Sequence, residues 1–340
     1  MIKEAINKVV NGENLSQEEA SSTMSEIMSG EATPAQVASF LTALRLKGET
    51  IDEITGCAVI MREKVTRIQA DAESVVDTCG TGGDGAHTFN ISTIAAIVSA
   101  GAGIRIAKHG NRAVSSKCGS ADVLKALGVN TEADADKVAK CIDEASIGFL
   151  FAPMLHPAMK YAIGPRREIG IRTIFNILGP LTNPAGAKAQ VLGVYDPELT
   201  KPLAHVLKNL GSRHVFVVHG ADGLDEITIT DKTFVTELKD GEIISYVINP
   251  EDFNIPKASK EDLIGGTIEE NAQIALNILR GEKGPKRDIV LLNASAAIVA
   301  GGKASNLIDG ISLAEKSIDS GNAMKKLEIL IEVSNGGNTK

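Results

Sequence analysis

The chain has 340 residues, a formal net charge of −8 and 43% hydrophobic residues, enough for a sizeable core in two domains or one large one. The negative charge argues against a nucleic-acid partner, because extended nucleic-acid contact usually needs a basic face. No leader sequence or long apolar span accompanies the four cysteines, which lack metal-ligand spacing. We therefore expect a cytoplasmic protein with no membrane partner.

The first seventy residues predict a helical unit, because three segments carry start and stop signals of their own. These signals are Ser16 with Glu19 before Gly30, Thr33 with Pro34 before Gly48, and Thr50 with Glu53. The short connections between the segments indicate a compact bundle. We therefore assign residues 1–70 to an N-terminal helical domain.

From Val75 onward, short strand-like runs alternate with helical patterns, which is typical of a largely parallel sheet flanked by helices. The first predicted strand begins at Val75, and later strands cover 104–107, 147–151, 190–195 and 214–218. A hairpin around Asp240-Gly241 is predicted within 232–248, and helices are predicted over 261–280 and 288–300. The expected fold class is α/β, with a small all-helical domain and a larger α/β domain at residues 71–340.

A glycine-rich loop follows the first predicted strand and leads into an apolar helical run. Its four glycines are Gly80, Gly82, Gly83 and Gly85. Glycine lets the backbone approach a ligand closely, and a helix start, capped here by Asn90 or Ser92, offers free N–H groups to an anion. The loop predicts phosphate binding, with a plain strand-to-helix turn as the alternative. It fits neither G-x-G-x-x-G nor the P-loop pattern.

A second loop, residues 108–120, follows the next predicted strand and contains three cations, three hydroxyl side chains and two glycines. Ser120 stands where an N-cap belongs, ahead of a helical run that stops at Gly128. Two such loops after successive strands suggest one ligand with more than one phosphate group. A solvated basic surface loop is the alternative.

These segments resemble the signatures of the anthranilate phosphoribosyltransferase family. The similar segments in and near the loops are Gly80-Thr81-Gly82-Gly83-Asp84, Asn90-Ile91-Ser92-Thr93 and residues 108–120. Later ones follow in the family's order: Gly164 to Thr173, Phe175 to Pro184 and Gly223-Leu224-Asp225-Glu226. The resemblance covers essentially the whole chain.

The resemblance implies a small helical domain and a larger α/β domain, with the active site in the cleft between them. It implies that part of 153–184 rejoins the small domain, and that this domain makes a homodimer contact. The implied reaction transfers the phosphoribosyl group of 5-phosphoribosyl 1-pyrophosphate to the amine of anthranilate, releasing pyrophosphate, in tryptophan biosynthesis. The implied cofactor is Mg²⁺.

The resemblance also implies site residues, which we carry over position by position. The positions for phosphoribosyl pyrophosphate are Gly80, Gly83, Asp84, Thr88, Asn90, Ile91, Ser92, Thr93, Lys108, His109, Gly110, Asn111, Arg112, Ala113, Val114, Ser115, Ser116 and Ser120. Those for anthranilate are Gly80, Asn111 and Arg166, and those for magnesium are Ser92, Asp225 and Glu226.

The chemistry of these residue types agrees with the implied roles. A guanidinium fork such as that of Arg166 suits a carboxylate. Paired carboxylates such as Asp225-Glu226 suit Mg²⁺ that also touches phosphate, although such a pair in isolation is more often a solvated turn. No general base is assigned, since an aromatic amine is already unprotonated at neutral pH, and Lys108 and His109 are electrostatic candidates.

Two other functions stay open on the sequence. A pyrimidine nucleoside phosphorylase shares the general architecture, but its family favours Ser-Thr-Gly-Gly after Lys-His, whereas Gly110-Asn111-Arg112 stands here. A non-enzymatic relative that keeps the fold and binds nucleic acid or another ligand would show a broken glycine loop or carboxylate pair and a basic surface. This chain keeps both motifs and is acidic.

Overall fold

The computed structural model describes residues 1–71, 73–112 and 118–337. The N-terminal region is a bundle of four helices, α1 (Ile2–Val10), α2 (Gln17–Ser29), α3 (Pro34–Lys47) and α4 (Ile51–Lys64). Ser16, Thr33 and Thr50 each complete a capping box at the start of a helix. The three predicted helices are therefore confirmed. Helix α1 was not predicted, because its sequence carries no capping side chain.

The α/β region is built on a seven-stranded sheet with the order β3-β2-β1-β4-β5-β6-β7. Its strands are β1 (Val75–Gly80), β2 (Arg105–Gly110), β3 (Ile147–Phe151), β4 (Ala189–Gly193), β5 (His214–Gly220), β6 (Thr233–Lys239) and β7 (Glu242–Ile248). The first five strands pair in parallel, and β6 and β7 add an antiparallel hairpin. The predicted fold class is thus confirmed.

Helices cover both faces of this sheet. They are α5 (Ile91–Gly101), α6 (Ser120–Ala126), α7 (Ala135–Ala145), α8 (Ala152–Leu155), α9 (Lys160–Ile169), α10 (Phe175–Leu178), α11 (Thr200–Asn209), α12 (Ile268–Leu279), α13 (Pro285–Ala300), α14 (Leu307–Asp319) and α15 (Asn322–Ser334). One large core lies where α5 packs against α13, α14 and α15.

The helical bundle is joined to the other face of the sheet through shared apolar packing. Helix α11 packs against α4 on one side and against β5 and β6 on the other. Helix α9, which falls within 153–184, packs against α2 and α3. A second core therefore runs from bundle residues such as Phe40 to Leu207 on α11 and Val217 on β5. The domain boundaries inferred from sequence stay a prediction, which this packing supports.

Two details of the local predictions were wrong. The helix expected over 261–280 begins only at Ile268, because Gly265 and Gly266 precede a capping box formed by Thr267 and Glu270. Ser120 is the first residue of α6 rather than its N-cap: Gly119 holds that position, and its N–H donates to Asp122 at 2.9 Å. The hydroxyl of Ser120 is instead free to reach the carbonyl of Asn111, at 3.1 Å.

Candidate active site

The candidate site lies where the strand order of the sheet reverses. The chain moves outward from β1 to β2 and β3 in one direction, and from β4 to β5 in the other, so β1 and β4 flank the reversal. Their carboxyl ends are paired, with Gly80 opposite Gly193. In open α/β sheets, ligands bind in the crevice at such a switch point. Topology therefore selects the end of β1, which carries the glycine-rich loop.

The segment carrying Asp225 and Glu226 lies directly against this strand pair. A Cβ atom built on Gly193 would stand 1.6 Å from the carbonyl oxygen of Asp225, and one built on Gly80 would stand 2.4 Å from its carboxylate. Contacts below 3.0 Å are essentially never seen for real Cβ atoms. Glycine at both strand ends is therefore what lets the two acids sit over the switch point.

The glycine-rich loop is tied to that segment and to β4. The N–H of Thr81 donates to the carbonyl of Gly193 at 2.9 Å, and the N–H of Gly82 donates to the Asp225 carboxylate at 2.8 Å. Gly82, Gly83 and Gly85 all have positive φ angles. The loop thus uses backbone conformations that few residues other than glycine adopt, as the sequence pattern predicted.

Helix α5 begins at the site, with Asn90 at its N-cap position. The Asn90 side chain does not cap the helix; its amide donates to the carbonyl of Cys118 at 3.0 Å, which ties the two loops together. The N–H of Ser92, in the first turn, donates to Glu226 at 3.2 Å. A carboxylate at a helix N-terminus is favoured by the helix dipole, so α5 helps to place Glu226.

The two acids lie side by side, each half-buried, and repel each other. Burial, with the Glu226 and Asp84 carboxylates nearby, holds the pKa of Asp225 well above its usual range. Burial also raises the pKa of Glu226 to about 7, although Lys108 opposes the rise. Buried like charges without enough counter-charge favour a bound cation. Asp84, which the sequence placed in the phosphate loop, therefore also belongs to this acidic cluster.

Lys108, at the end of β2, supplies the nearby positive charge. Its buried ammonium donates to the carbonyl of Thr78 and lies 3.4 Å from the Ser92 hydroxyl. Burial lowers the pKa of Lys108, while Asp77, Glu226 and Asp225 favour its charged form. The structure thus brings together the predicted residues Lys108, Ser92 and Glu226.

His109 lies beside a second buried histidine. Its Nε2 is 3.2 Å from Nε2 of His156, with the ring centroids 5.0 Å apart. Burial, reinforced by the neighbouring histidine, lowers the pKa of His109 to about 3, and burial lowers the pKa of His156 to about 4. Both imidazoles are therefore neutral at physiological pH. Any electrostatic role of His109 rests on hydrogen bonding rather than on a positive charge.

The second loop is described at its two ends. Gly110 faces Ser120, since a Cβ on Gly110 would stand 2.4 Å from the Ser120 hydroxyl. Arg112 forms an exposed ion pair with Glu132 at 2.7 Å and stacks over Phe151. The predicted residues Ala113, Val114, Ser115 and Ser116 lie outside the described residues.

Among the described residues, neither Arg166 nor Thr88 has a hydrogen bond to the acidic cluster of Asp84, Asp225 and Glu226. The Arg166 guanidinium lies over the Phe175 ring, 5.0 Å from its centroid, and burial lowers its pKa. Thr88 forms an isolated antiparallel bridge with Ile264. Ile91 and Thr93 belong to the buried first turn of α5. The Ile91 side chain packs in the core, and the Thr93 hydroxyl is buried without a hydrogen-bond partner among the described residues.

The structure adds site residues that the sequence analysis did not assign. Asn293 of α13 is buried, and its side chain binds the backbone next to Glu226. It accepts from the N–H of Ile227 at 2.9 Å and donates to the carbonyl of Ile227 at 2.8 Å. His156 and Tyr195 also reach the site. Only Tyr195 had a usable signal, since it is the last residue of the strand predicted over 190–195. Contacts from α13 join residues too far apart in sequence for any local pattern to show.

The donor set fits magnesium as a partial site. Among residues 1–71, 73–112 and 118–337, no group of three or more His, Cys, Asp and Glu side chains could hold a metal alone. Two carboxylates and a hydroxyl are present at Asp225, Glu226 and Ser92. Mg²⁺ is usually bound by one or two carboxylates, with substrate phosphates and water completing its octahedron. A phosphate-bearing substrate would therefore be needed to complete the coordination.

Family models match nearly the whole chain. Residues 3–65 match the helical bundle domain of a glycosyl transferase family, and residues 72–324 match that family's a/b domain. The chain is 57% identical to an anthranilate phosphoribosyltransferase of Acetivibrio thermocellus, covering 98% of this chain and 97% of the relative. It is 58% identical to one of Moorella thermoacetica, covering 97% and 98%.

Solved structures agree with these relatives. The crystal structure of anthranilate phosphoribosyltransferase from Thermus thermophilus is similar with a TM-score of 0.91 and 44% identity, covering 98% of this chain and 99% of that one. The Saccharomyces cerevisiae enzyme in complex with PRPP and Mg is similar with a TM-score of 0.89 and 30% identity, covering 98% of each chain. Another structure of the yeast enzyme contains 4-fluoroanthranilate, with a TM-score of 0.87 and 28% identity.

Proposed function

The chain belongs to the anthranilate phosphoribosyltransferase family, and on that premise we propose how its own residues perform the family's reaction. The reaction transfers the phosphoribosyl group of phosphoribosyl pyrophosphate to the amine of anthranilate in tryptophan biosynthesis. The proposal rests on one observation: the glycine-rich loop, the start of α5, Lys108 and the half-buried pair Asp225-Glu226 meet at the β1/β4 switch point.

We assign the pyrophosphate end of the donor to the glycine-rich loop and to α5. Backbone N–H groups at a loop and at a helix start suit phosphate oxygens. The donor site comprises Gly80, Gly83, Asp84, Thr88, the residues from Asn90 to Thr93, those from Lys108 to Ser116, and Ser120. Lys108 neutralises negative charge that grows as the ribose C1–O bond breaks, which is the stage at which electrostatic stabilisation accelerates the reaction.

Magnesium belongs at Asp225, Glu226 and Ser92. When bound, it neutralises the acids and the pyrophosphate and stabilises the departing oxygen. The chain's own part is to hold both carboxylates in place, which Gly82, Ser92 and Asn293 do through the hydrogen bonds described above. The relatives' complexes with PRPP and Mg support this assignment.

We assign the anthranilate carboxylate to Arg166, with Asn111 and the Gly80 backbone completing the acceptor side. Arg166 is half-buried, and its planar guanidinium fork can donate two parallel hydrogen bonds to a carboxylate. Because the aromatic amine is neutral, positioning the two substrates replaces a strong base. The acceptor then attacks an oxocarbenium-like C1 from the face opposite the leaving pyrophosphate.

We further propose that the protein is a cytoplasmic homodimer that associates through its helical domain. Large apolar residues are exposed there, with Leu46 of α3 83% exposed and Val10 of α1 67% exposed. Both residues lie near the ends of their helices, α1 packs against α3, and an exposed apolar patch often marks an interface. No helix among the described residues is long and apolar enough to cross a membrane. Light scattering after size exclusion tests the dimer, and a mass of one chain would contradict it.

The function is tested by the loss of anthranilate fluorescence on mixing protein, phosphoribosyl pyrophosphate and Mg²⁺. We expect magnesium-dependent loss with the wild type, which Asp225→Asn/Glu226→Gln abolishes and Arg166→Ala weakens through a raised KM for anthranilate. Arg105→Gln, which removes an ion pair at the opposite end of β2, is the matched control and should behave as the wild type. No loss with folded wild-type protein would contradict the proposal.

A further inference from the structure

The glycine-rich loop is also held from the side of the helical domain. Arg172 lies in the segment between α9 and α10, and its guanidinium donates to the carbonyl of Gly83. The same guanidinium stacks over the Tyr195 ring, 4.1 Å from its centroid. Tyr195 in turn donates its backbone N–H to the Thr81 hydroxyl at 3.1 Å. Together, Arg172 and Tyr195 form a clamp on the loop at two points, which we call the Arg172–Tyr195 clamp.

The identity of Gly83 follows from this clamp. A Cβ atom at position 83 would stand 2.6 Å from Nη2 of Arg172, and the residue has a φ of +80°. The left-handed backbone favours glycine, and a Cβ there would force the end of the Arg172 side chain to shift. The glycine is thus matched to the arginine, and a phosphate-loop role alone does not account for that contact.

Fixing the Gly83 carbonyl fixes the next peptide group as well. The described chain has no cis peptide bonds, and in a planar trans peptide the carbonyl oxygen and the following N–H point in opposite directions. Since the Gly83 carbonyl is directed at Arg172, the N–H of Asp84 is directed away from it. No described residue accepts a hydrogen bond from that N–H, which leaves it as a donor for an anion.

We propose that Arg172 is a positioning residue for the transfer reaction, which orients the Asp84 N–H toward the pyrophosphate of the donor. This inference rests on the proposed function. The same segment carries Arg166 at the end of α9, and α9 packs against the helical bundle. The Arg172–Tyr195 clamp therefore links the donor loop to the part of the chain that holds the acceptor. Arg172 itself touches neither reacting atom.

The test separates donor binding from acceptor binding and from stability. We expect Arg172→Gln to raise the KM for phosphoribosyl pyrophosphate about tenfold, the equivalent of about 1.4 kcal/mol, with the KM for anthranilate and the melting temperature nearly unchanged. Arg172→Lys should not restore the donor KM. A planar guanidinium can stack flat on the Tyr195 ring while it donates a hydrogen bond within its own plane, and a lysine ammonium cannot. Tyr195→Leu should follow Arg172→Gln, and Tyr195→Phe should restore the donor KM relative to Tyr195→Leu.

Arg105→Gln is again the control for loss of an arginine outside the site. An unchanged donor KM in Arg172→Gln, or full rescue by lysine, would overturn the proposal. Equal rises in both KM values together with a lower melting temperature would also overturn it, since that pattern indicates a structural role. If the wild type shows no transferase activity, the proposed function fails. The clamp can then still be tested by calorimetric titration of phosphoribosyl pyrophosphate with Mg²⁺ into the wild type and into Arg172→Gln. Equal affinities would then overturn it.

Discussion

Gly193→Ala should inactivate the protein without unfolding it. The new Cβ would stand 1.6 Å from the carbonyl oxygen of Asp225 and 2.5 Å from its carbonyl carbon. Real Cβ contacts essentially never fall below 3.0 Å. With that limit as the minimum contact, the backbone segments at Gly193 and Asp225 must move apart by about 1.4 Å or more. The obstructing atoms are backbone, so no side-chain rotation relieves the clash.

This displacement moves Asp225 and Glu226 relative to the glycine-rich loop. A misplacement of about 1 Å can cost about a hundredfold in rate, and metal-ligand distances tolerate only about 0.2 Å. We therefore expect kcat/KM to fall at least about a hundredfold and the Mg²⁺ concentration for half-maximal rate to rise. Overpacking should also lower the free energy of unfolding by about 1–3 kcal/mol.

The assay is a magnesium titration of the initial rate, paired with thermal melting. Gly164→Ala is the matched control, since a Cβ there meets nothing within 4 Å and the residue lies inside α9; its magnesium dependence should match the wild type. Gly193→Ala activity within a few-fold of the wild type, at an unchanged magnesium requirement, would refute the packing argument.

Three further predictions concern single side chains. Glu226→Gln should raise the melting temperature of metal-free protein more at pH 8 than at pH 5. A carboxyl whose pKa is raised in the folded state lowers stability when it is ionised, and this cost disappears as pH falls from about 7 to about 4.5. An equal difference at both pH values would contradict this prediction. Asn293→Ala should lower the urea unfolding free energy by about 2–4 kcal/mol, because the N–H and carbonyl of Ile227 lose their buried partners, and an effect below about 1 kcal/mol would argue against it. Arg166→Lys should raise the anthranilate KM about tenfold with the donor KM unchanged, because lysine lacks the bidentate fork; equal KM values for the two proteins would count against the acceptor assignment.

Much of the fold could be predicted from local signals in the chain. Capping boxes at Ser16, Thr33 and Thr50 mark helix starts through bonds within four residues, so short-range patterns suffice. Helix α1 lacks such a signal. Helix α12 begins later than its apolar pattern predicts, because the glycine pair Gly265-Gly266 comes before its cap at Thr267. The order of the strands depends on contacts between distant residues, so no local pattern shows that β1 lies beside β4.

The candidate site likewise combines residues that local motifs reveal with residues that only the fold brings together. The loops carry their glycines and cations in continuous motifs, so Gly80 and Lys108 could be named from sequence. The supporting contacts could not, since Asn293 and Arg172 reach the site from segments far along the chain and are set by packing rather than by spacing. The neutral state of His109 likewise depends on burial beside His156, which the sequence does not reveal.

The most direct test of the central claim is phosphorus NMR of phosphoribosyl pyrophosphate with the protein and Mg²⁺, followed before and after anthranilate is added. The account predicts no pyrophosphate release beforehand, and then one pyrophosphate released for each anthranilate consumed. Release without anthranilate, or release that requires inorganic phosphate in its place, would contradict the transfer reaction at the β1/β4 switch point.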